Sequence, residues 1–364
     1  MKLRRSREVP RYVAKIAVKM PNWVGDVVMA TPFVRGLRQR FPRSQISLLL
    51  RPHLVPILEG MGEVDRILSF ADKGKNPFSL LFQLRRERFD LIFLLTNSWR
   101  SALYAYLARI PYRLGYDKNG RGWLLTHTLQ VEREGRLRFL PTDIYFNRLL
   151  NLVDFTQKDR KLELPLLRSS IDFIREKFHF YGISTGRDLV IAFNPGAAFG
   201  SSKLWPAESF SQLGDLLVER LGAKILIFCG PSDREIARRI WDGMREEAVA
   251  FCDEILPLDH LKAAVAQCHL LVSTDSGPVH YASAFSIPSV VLMGPTHPIY
   301  SAVEDPKKMV IRHEVECGPC HLKICPVDHG CMRNISPEEV FRVVVRQLRR
   351  YFPEKLSGEV GENF

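Results

Sequence analysis

Runs of consecutive apolar residues alternate along this chain with longer stretches in which apolar positions recur every three or four residues. A continuous apolar run of about five residues fits a strand buried on both faces, whereas the longer period fits a helix lying on a sheet. In the first half, Ala14 to Val18, Ile46 to Leu50, Arg66 to Phe70 and Leu91 to Leu95 read as strands, and Val27 to Arg40, Pro77 to Arg88 and Arg100 to Arg109 as helices. Residues 111–165 are less regular, and Leu162 to Leu167 reads as an extended connector before a helix at Ser170 to Tyr181. The pattern then restarts. Strands at Leu189 to Phe193, Lys224 to Phe228, His269 to Ser273 and Ser289 to Met293 alternate with helices at Ala207 to Leu221, Asp233 to Arg245, Leu261 to Ala266 and Val279 to Phe285. Ser336-Pro-Glu-Glu339 combines a capping box with proline at the first helical position and opens a last helix running to Arg350. The tail from Glu354 to Phe364 is expected to fray.

Two series of this kind imply an α/β protein with two doubly wound parallel-sheet domains facing across a cleft, residues 1–166 and 167–335. The final helix, residues 336–352, is expected to pack back toward the N-terminal domain. Ligands of such sheets sit beyond the carboxyl ends of the strands, so the loops that follow the strands are where chemistry is sought. Composition narrows the class: 46% hydrophobic and 25% charged residues, with 23 Gly and 23 Pro, exclude disordered, collagen-like and disulfide-scaffold chains. The longest apolar runs fall far short of the ~20 residues that cross a bilayer, and no secretory signal follows the basic N-terminus. The expected compartment is the cytoplasm, where seven cysteines read as thiols or metal ligands sooner than disulfides.

The net charge of +12 is unevenly placed. Residues 1–165 carry 30 Lys plus Arg against 15 Asp plus Glu, whereas the rest of the chain carries 22 against 25. Clusters at Lys2 to Arg11, at Arg35, Arg38, Arg40 and Arg43, and at Arg85, Arg86 and Arg88 suit phosphates or an anionic membrane face as well as a solvated surface. No zinc-finger spacing, aromatic RNP motif or basic-zipper heptad points to nucleic acid, although a generic basic nucleic-acid-binding protein is the alternative from another class.

Four loops could carry chemistry. In Pro21-Asn-Trp-Val-Gly-Asp-Val-Val-Met-Ala-Thr-Pro32, Gly25 allows a tight strand-to-helix turn and Asp26 falls at a helix start, where a carboxylate can cap the helix or act as a base. In Asn194-Pro-Gly-Ala-Ala-Phe-Gly-Ser-Ser-Lys-Leu-Trp-Pro206, small residues including Gly196 and Ser202 let backbone amides approach an anion, and Lys203 can set a charge on a phosphate; the plain alternative is a flexible connector. Asp275, Ser276 and Gly277 stand at the start of a helix that also carries His280, a seat for a pyrophosphate or a set of packed and capping residues. Gly230-Pro-Ser-Asp233 supplies the fourth loop, in which Asp233 can bind a ribose hydroxyl or cap a helix.

Together these segments resemble the ADP-heptose:lipopolysaccharide heptosyltransferases of glycosyltransferase family 9, over roughly residues 14–350, with the Pro21 to Pro32 segment nearest the type II members and Met293-Gly-Pro-Thr296 in agreement. The resemblance implies the GT-B architecture, an acceptor-binding N-terminal and a donor-binding C-terminal Rossmann-like domain, and inverting transfer with no catalytic metal or cofactor. It implies Asp26 as general base and Lys203 as the lysine on the donor phosphates. It further implies Gly196, Ser202, Gly230, Asp233, Asp275, Ser276, Gly277 and His280 around ADP-heptose, with Glu235 a second candidate for the ribose, and Asn22, Trp23 and Gly25 beside the acceptor. The implied acceptor is heptosyl-Kdo-lipid A, met at the cytoplasmic face of the inner membrane and held by basic side chains, with no nucleic acid partner. Types I and III, or another nucleotide-sugar transferase of the family, are the near alternatives. A dehydrogenase is disfavoured because no Gly-x-Gly-x-x-Gly follows Ala14 to Val18.

One segment stands outside this scheme. Cys317, Cys320, Cys325 and Cys331, with His321 and His329, fall within fifteen residues. Their spacing admits a structural zinc, packed thiols or a disulfide. Cys229, Cys252 and Cys268 read as buried hydrophobes.

Overall fold

The computed structural model describes residues 3–5, 8–70, 78–130 and 140–356, the first three by backbone alone. Part of the Lys2 to Arg11 cluster, the expected helix start at Pro77 and most of the tail lie outside the described residues. The chain divides into two compact units, Met1–Pro165 with Ile299–Glu304, and Leu166–Pro298 with Asp305–Phe364.

The first unit holds strands β1 (Leu3–Arg5), β2 (Lys15–Lys19), β3 (Gln45–Leu50), β4 (Arg66–Ser69), β5 (Leu91–Leu94), β6 (Tyr112–Tyr116) and β7 (His127–Leu129). Its helices are α1 (Val24–Met29), α2 (Thr31–Arg40), α3 (Val55–Leu58), α4 (Ser79–Glu87), α5 (Trp99–Leu107) and α6 (Thr142–Asn147). The sheet order is β1-β7-β6-β5-β2-β3-β4, parallel throughout except for β1, which runs antiparallel on the edge. The second unit holds β8 (Val190–Asn194), β9 (Lys224–Ile227), β10 (Ala248–Ala250), β11 (Leu270–Thr274), β12 (Ser289–Leu292) and β13 (Lys308–Ile311), all parallel in the order β10-β9-β8-β11-β12-β13. Its helices are α7 (Arg168–Phe180), α8 (Ala207–Leu221), α9 (Arg234–Gly243), α10 (Leu258–Ala266), α11 (Gly277–Ala284), α12 (Gly330–Arg333) and α13 (Pro337–Tyr351).

Leaving out β1, both sheets have the doubly wound order 3-2-1-4-5-6, whose reversal point opens a crevice between the first and fourth strands. In the first unit that point lies between β2 and β5, in the second between β8 and β11. The central strands are buried along nearly their whole length, as continuous apolar runs demand.

Three local readings change. The single helix expected over Val27 to Arg40 is two helices meeting at Ala30, because Pro32 has no N–H to give to Val28; the Thr31 hydroxyl donates to that carbonyl instead, at 2.8 Å. The region taken as irregular contains β6 and β7. Finally, the last helix, expected as a piece apart from the second domain, belongs to that unit: α13 lies against α8 and β12 and buries Val340, Phe341, Val344, Val345 and Leu348 in its core. No helix among the described residues is long and apolar enough to cross a membrane.

Candidate functional site

At the reversal point of the first unit, the chain leaves β2 and enters α1 within four residues. Lys19, buried at the end of β2, turns its ammonium onto the Met20 carbonyl at 2.9 Å and the Asn22 side-chain oxygen at 3.3 Å, and so fixes the first bend. Trp23 is the N-cap and contributes no side-chain cap, and Asp26 is the third residue of the helix. Asp26 is thus not the N-cap residue itself. Its half-buried carboxylate lies at the positive end of the helix dipole and lines a cleft of about 300 Å³. Asn22 and Trp23 line the same cleft, with Thr96, Asn97, Ser98, Thr142 and Tyr145 opposite; Gly25 stays in the first turn of α1.

That opposite wall was not foreseen. Arg121, fully buried, donates to the carbonyls of Thr96 at 2.6 Å, Ser98 at 3.2 Å and Tyr116 at 3.0 Å, and to the Asn97 side-chain oxygen at 3.3 Å. Burial lowers its pKa to about 10, so the guanidinium stays charged at neutral pH. The Asn97 amide in turn donates to the Tyr145 hydroxyl at 2.9 Å, and Tyr145 stacks on Tyr116 with ring centroids 3.9 Å apart. These contacts join residues far apart in sequence, in the stretch whose periodicity is weakest, so only the isolated Arg-Gly pair at Arg121 could have hinted at them.

The second reversal point is built differently. The loop after β8 carries Lys203 back to the loop after β11, where its ammonium pairs with Asp275 at 2.5 Å and also donates to the Asp275 carbonyl at 3.0 Å. The Thr296 hydroxyl, at 2.8 Å, holds the same carboxylate oxygen. Burial alone would raise the Asp275 carboxyl; Lys203 and Thr296 override it and hold the group below the usual carboxylate range. Asn194, at the end of β8, donates to the hydroxyls of Ser273 at 3.1 Å and Ser276 at 2.8 Å, and Thr274 donates to the Gly196 carbonyl at 2.6 Å. Ser276 is the N-cap of α11 and Gly277 its first residue.

Asp233 shows why position 196 is glycine. A Cβ there would lie 2.2 Å from the Asp233 carboxylate, which receives backbone N–H groups of Ala197 and Gly230 and so ties two loops together. Burial raises the Asp233 carboxyl in spite of those bonds. Glu235 is exposed on the first turn of α9.

Two of the expected donor residues are buried. Ser202 is buried and its hydroxyl donates to the Leu322 carbonyl at 2.5 Å, while its own carbonyl meets His329 Nε2 at 2.6 Å; it anchors the cysteine-bearing loop. His280 is buried beside Asp275, Lys203 and Lys308, and burial pushes its imidazole down to about 3, so it is neutral at physiological pH. The cysteine loop itself holds four free thiols. Burial, with Cys325, Cys317 and Cys320 nearby, pushes the Cys331 thiol up, and no group of three or more His, Cys, Asp or Glu among the described residues is arranged to hold a metal ion. Cys331 packs against Gly294 in the core, and the loop is held by carbonyl contacts to Ser202.

Two Rossmann-like units, each with a polar crevice at its reversal point, place the molecule in the GT-B fold class. A solved glycosyl transferase family 9 protein from Veillonella parvula shares that fold, with a TM-score of 0.81 and 24% identity over 94% of this chain and 99% of its own. The family model for glycosyltransferase family 9 (heptosyltransferase) matches residues 78–330, and the chain belongs to that family. It is 31% identical to the lipooligosaccharide heptosyltransferase 2 of Haemophilus ducreyi, over 82% of this chain and 88% of that one. The solved Escherichia coli ADP-heptose LPS heptosyltransferase II is also similar, with a TM-score of 0.75 and 25% identity over 92% of this chain and 99% of its own.

Proposed function

We propose that this enzyme moves L-glycero-D-manno-heptose from ADP-heptose to the first heptose of the lipopolysaccharide inner core, with inversion. What supports the reading is that the reversal point of the first unit carries the carboxylate Asp26 and that of the second the ammonium Lys203, paired with Asp275. Asp26 takes the proton from the acceptor hydroxyl as that oxygen bonds to the anomeric carbon. The bond from that carbon to the donor phosphate breaks, and the electron pair leaves with ADP. Lys203 and the start of α11 at Gly277 stabilise the charge that grows on the diphosphate. Asp275, committed to Lys203 and Thr296, positions the ammonium and stays off the phosphates, where like charge would repel it. Asp233, or Glu235 beside it, serves the ribose. Asn22, Trp23 and Asn97 serve the acceptor sugar, whose lipid A anchor brings the enzyme to the cytoplasmic surface of the inner membrane.

The test supplies ADP-heptose with core acceptors bearing no heptose or one heptose and follows transfer by mass. Transfer only to the one-heptose acceptor is expected; preference for the heptose-free acceptor would reassign the chain to type I chemistry, and no transfer to either would remove the reading.

A further inference from the structure

Helix α5 is apolar on two faces. Ser101, Ala102, Tyr104 and Ala105 are buried on one side, while Trp99, Leu103 and Tyr106, spaced i, i+4, i+7, form a stripe on the other. A helix apolar all round is ordinarily enclosed by protein, yet Trp99 is 44% and Tyr106 45% exposed. Trp123, 62% exposed, lies against both, with ring centroids at 6.5 Å and 6.1 Å. On the adjoining α4, Phe82 is 58% exposed, one turn before Arg85 and Arg86. Soluble monomers seldom leave so many large rings together in water unless something binds them.

Along α4 and α5 the rim of this patch is basic, while beside Trp123 one exposed carboxylate, Asp117, lies against Gly122. Arg85, Arg86, Arg88, Arg100 and Arg109 are exposed. The two carboxylates of residues 80–115 face inward: Glu87 is buried and pairs with Arg66 at 2.8 Å, and Asp90 accepts the Lys15 backbone N–H at 2.8 Å. Beside the stripe, Arg85, Arg109 and Arg113 line a groove of about 590 Å³.

We infer that this face of the first unit docks on an anionic lipid bilayer, with the indole and phenol rings at headgroup depth and the guanidinium groups on lipid phosphates. Trp and Tyr suit that layer because each joins an apolar body to a polar tip, and the arginine fork matches phosphate oxygens. The rings meet at 60° and 63°, tilted against one another, which fits a disordered headgroup layer better than the parallel stacking a single-stranded nucleic acid would use. The stripe begins one residue beyond Ser98 of the Asp26 cleft, so a docked enzyme would meet its acceptor at the lipid surface. In that last respect the inference rests on the proposed function, whose acceptor is lipid-borne.

The test is sedimentation of the full chain with phosphatidylglycerol–phosphatidylcholine vesicles and with pure phosphatidylcholine vesicles, without donor or acceptor. Binding to the anionic vesicles only is expected, weakened about tenfold or more by Trp99→Ser with Trp123→Ser, and separately by Arg86→Glu with Arg109→Glu. Both variants should keep the wild-type melting temperature and transfer to a delipidated acceptor within about twofold, since none of these side chains packs in the core or touches the cleft. Unchanged vesicle binding by either variant, or binding indifferent to lipid charge, would overturn the inference. So would a wild-type dimer that the tryptophan variant dissociates, because the face would then belong to a second copy. Vesicle binding that persists while no heptose is transferred would overturn the proposed function and leave this one standing.

Discussion

The two units share a strand order and differ in almost everything that stands at its reversal point. In the first, Asp26 shares a cleft with Asn22, Asn97 and Tyr145, and the loop carrying Asn97 is held from behind by a buried arginine. In the second, an ammonium–carboxylate pair is held by the Thr296 hydroxyl, in a loop cluster where Asn194 bonds Ser273 and Ser276. The difference follows the charge of the chain, net positive over residues 1–165 and slightly negative beyond. A parallel sheet fixes where a ligand can bind; the loops decide whether the site handles a neutral hydroxyl or an anion. A proton acceptor must not be neutralised by a neighbouring cation, whereas a phosphate site is built around one, so the two groups are best kept in separate crevices.

The largest effects separate those roles. Asp26→Asn keeps the size and polarity of the side chain and removes its basicity, so the transfer rate should fall by about 10² to 10⁴. The donor's dissociation constant, measured by calorimetry, should stay the same; tighter coupling of the two would mean that Asp26 also touches the donor. Lys203→Met acts on the other crevice. Donor kcat/KM should drop by about 10² to 10³, with acceptor KM unchanged. The change also leaves Asp275 buried without its cation, at a cost in stability of about 3–5 kcal/mol. Adding Asp275→Asn to Lys203→Met should restore most of that stability and none of the activity. Recovery of activity would show that the pair is structural and that another group meets the phosphates.

A pH titration sharpens the contrast further, because His280 is buried near the ion pair of the second unit. His280 has a folded pKa of about 3, far below its unfolded value, because burial penalises the charged ring. Between those two values the unfolded chain binds the extra proton, so stability falls as the pH falls from about 6 to about 4, by about 1.4 kcal/mol per pH unit. Asp275 works in the same direction at lower pH. Its folded pKa lies below its unfolded one, so its contribution is present above the unfolded value and is lost as the pH falls through the folded value. Urea unfolding of wild type and His280→Gln across this range should show a shallower slope in the variant. Parallel curves would mean that His280 is reached by water.

Much of the sheet scaffold was legible because β2, β3, β5, β8, β11 and β12 are buried on both faces and so are written as unbroken apolar runs. The edge strands β10 and β13 carry no such run, being only partly covered, and β7 is three residues long. At the sites, Asp26, Lys203 and Asp275 stood out because each lies in a segment that leads from a strand into the next helix. Arg121, Asn97, Tyr145 and Thr296 did not, since their importance comes from contacts across the fold that no local spacing records. Ser202 shows the same limit: it was singled out as a small residue that lets backbone amides approach an anion, and no local spacing records the bond from its hydroxyl to the Leu322 carbonyl.

Ser202 therefore yields the smallest prediction and the cleanest. Ser202→Ala removes the part-buried bond to the Leu322 carbonyl, and the stability cost should be about 1 kcal/mol, read from the urea midpoint. Gly200, with φ at +154° and the Lys323 carbonyl where a Cβ would stand, keeps the two loops in contact even without that bond, and the Ser202 backbone N–H still donates to the Lys323 carbonyl at 3.0 Å. Lys203 should accordingly hold its position, and donor KM should change by less than about threefold. A larger rise would mean that the cysteine-bearing loop does more than buttress the turn: it would be setting where Lys203 meets the diphosphate, and the donor crevice would extend to residues 321–323.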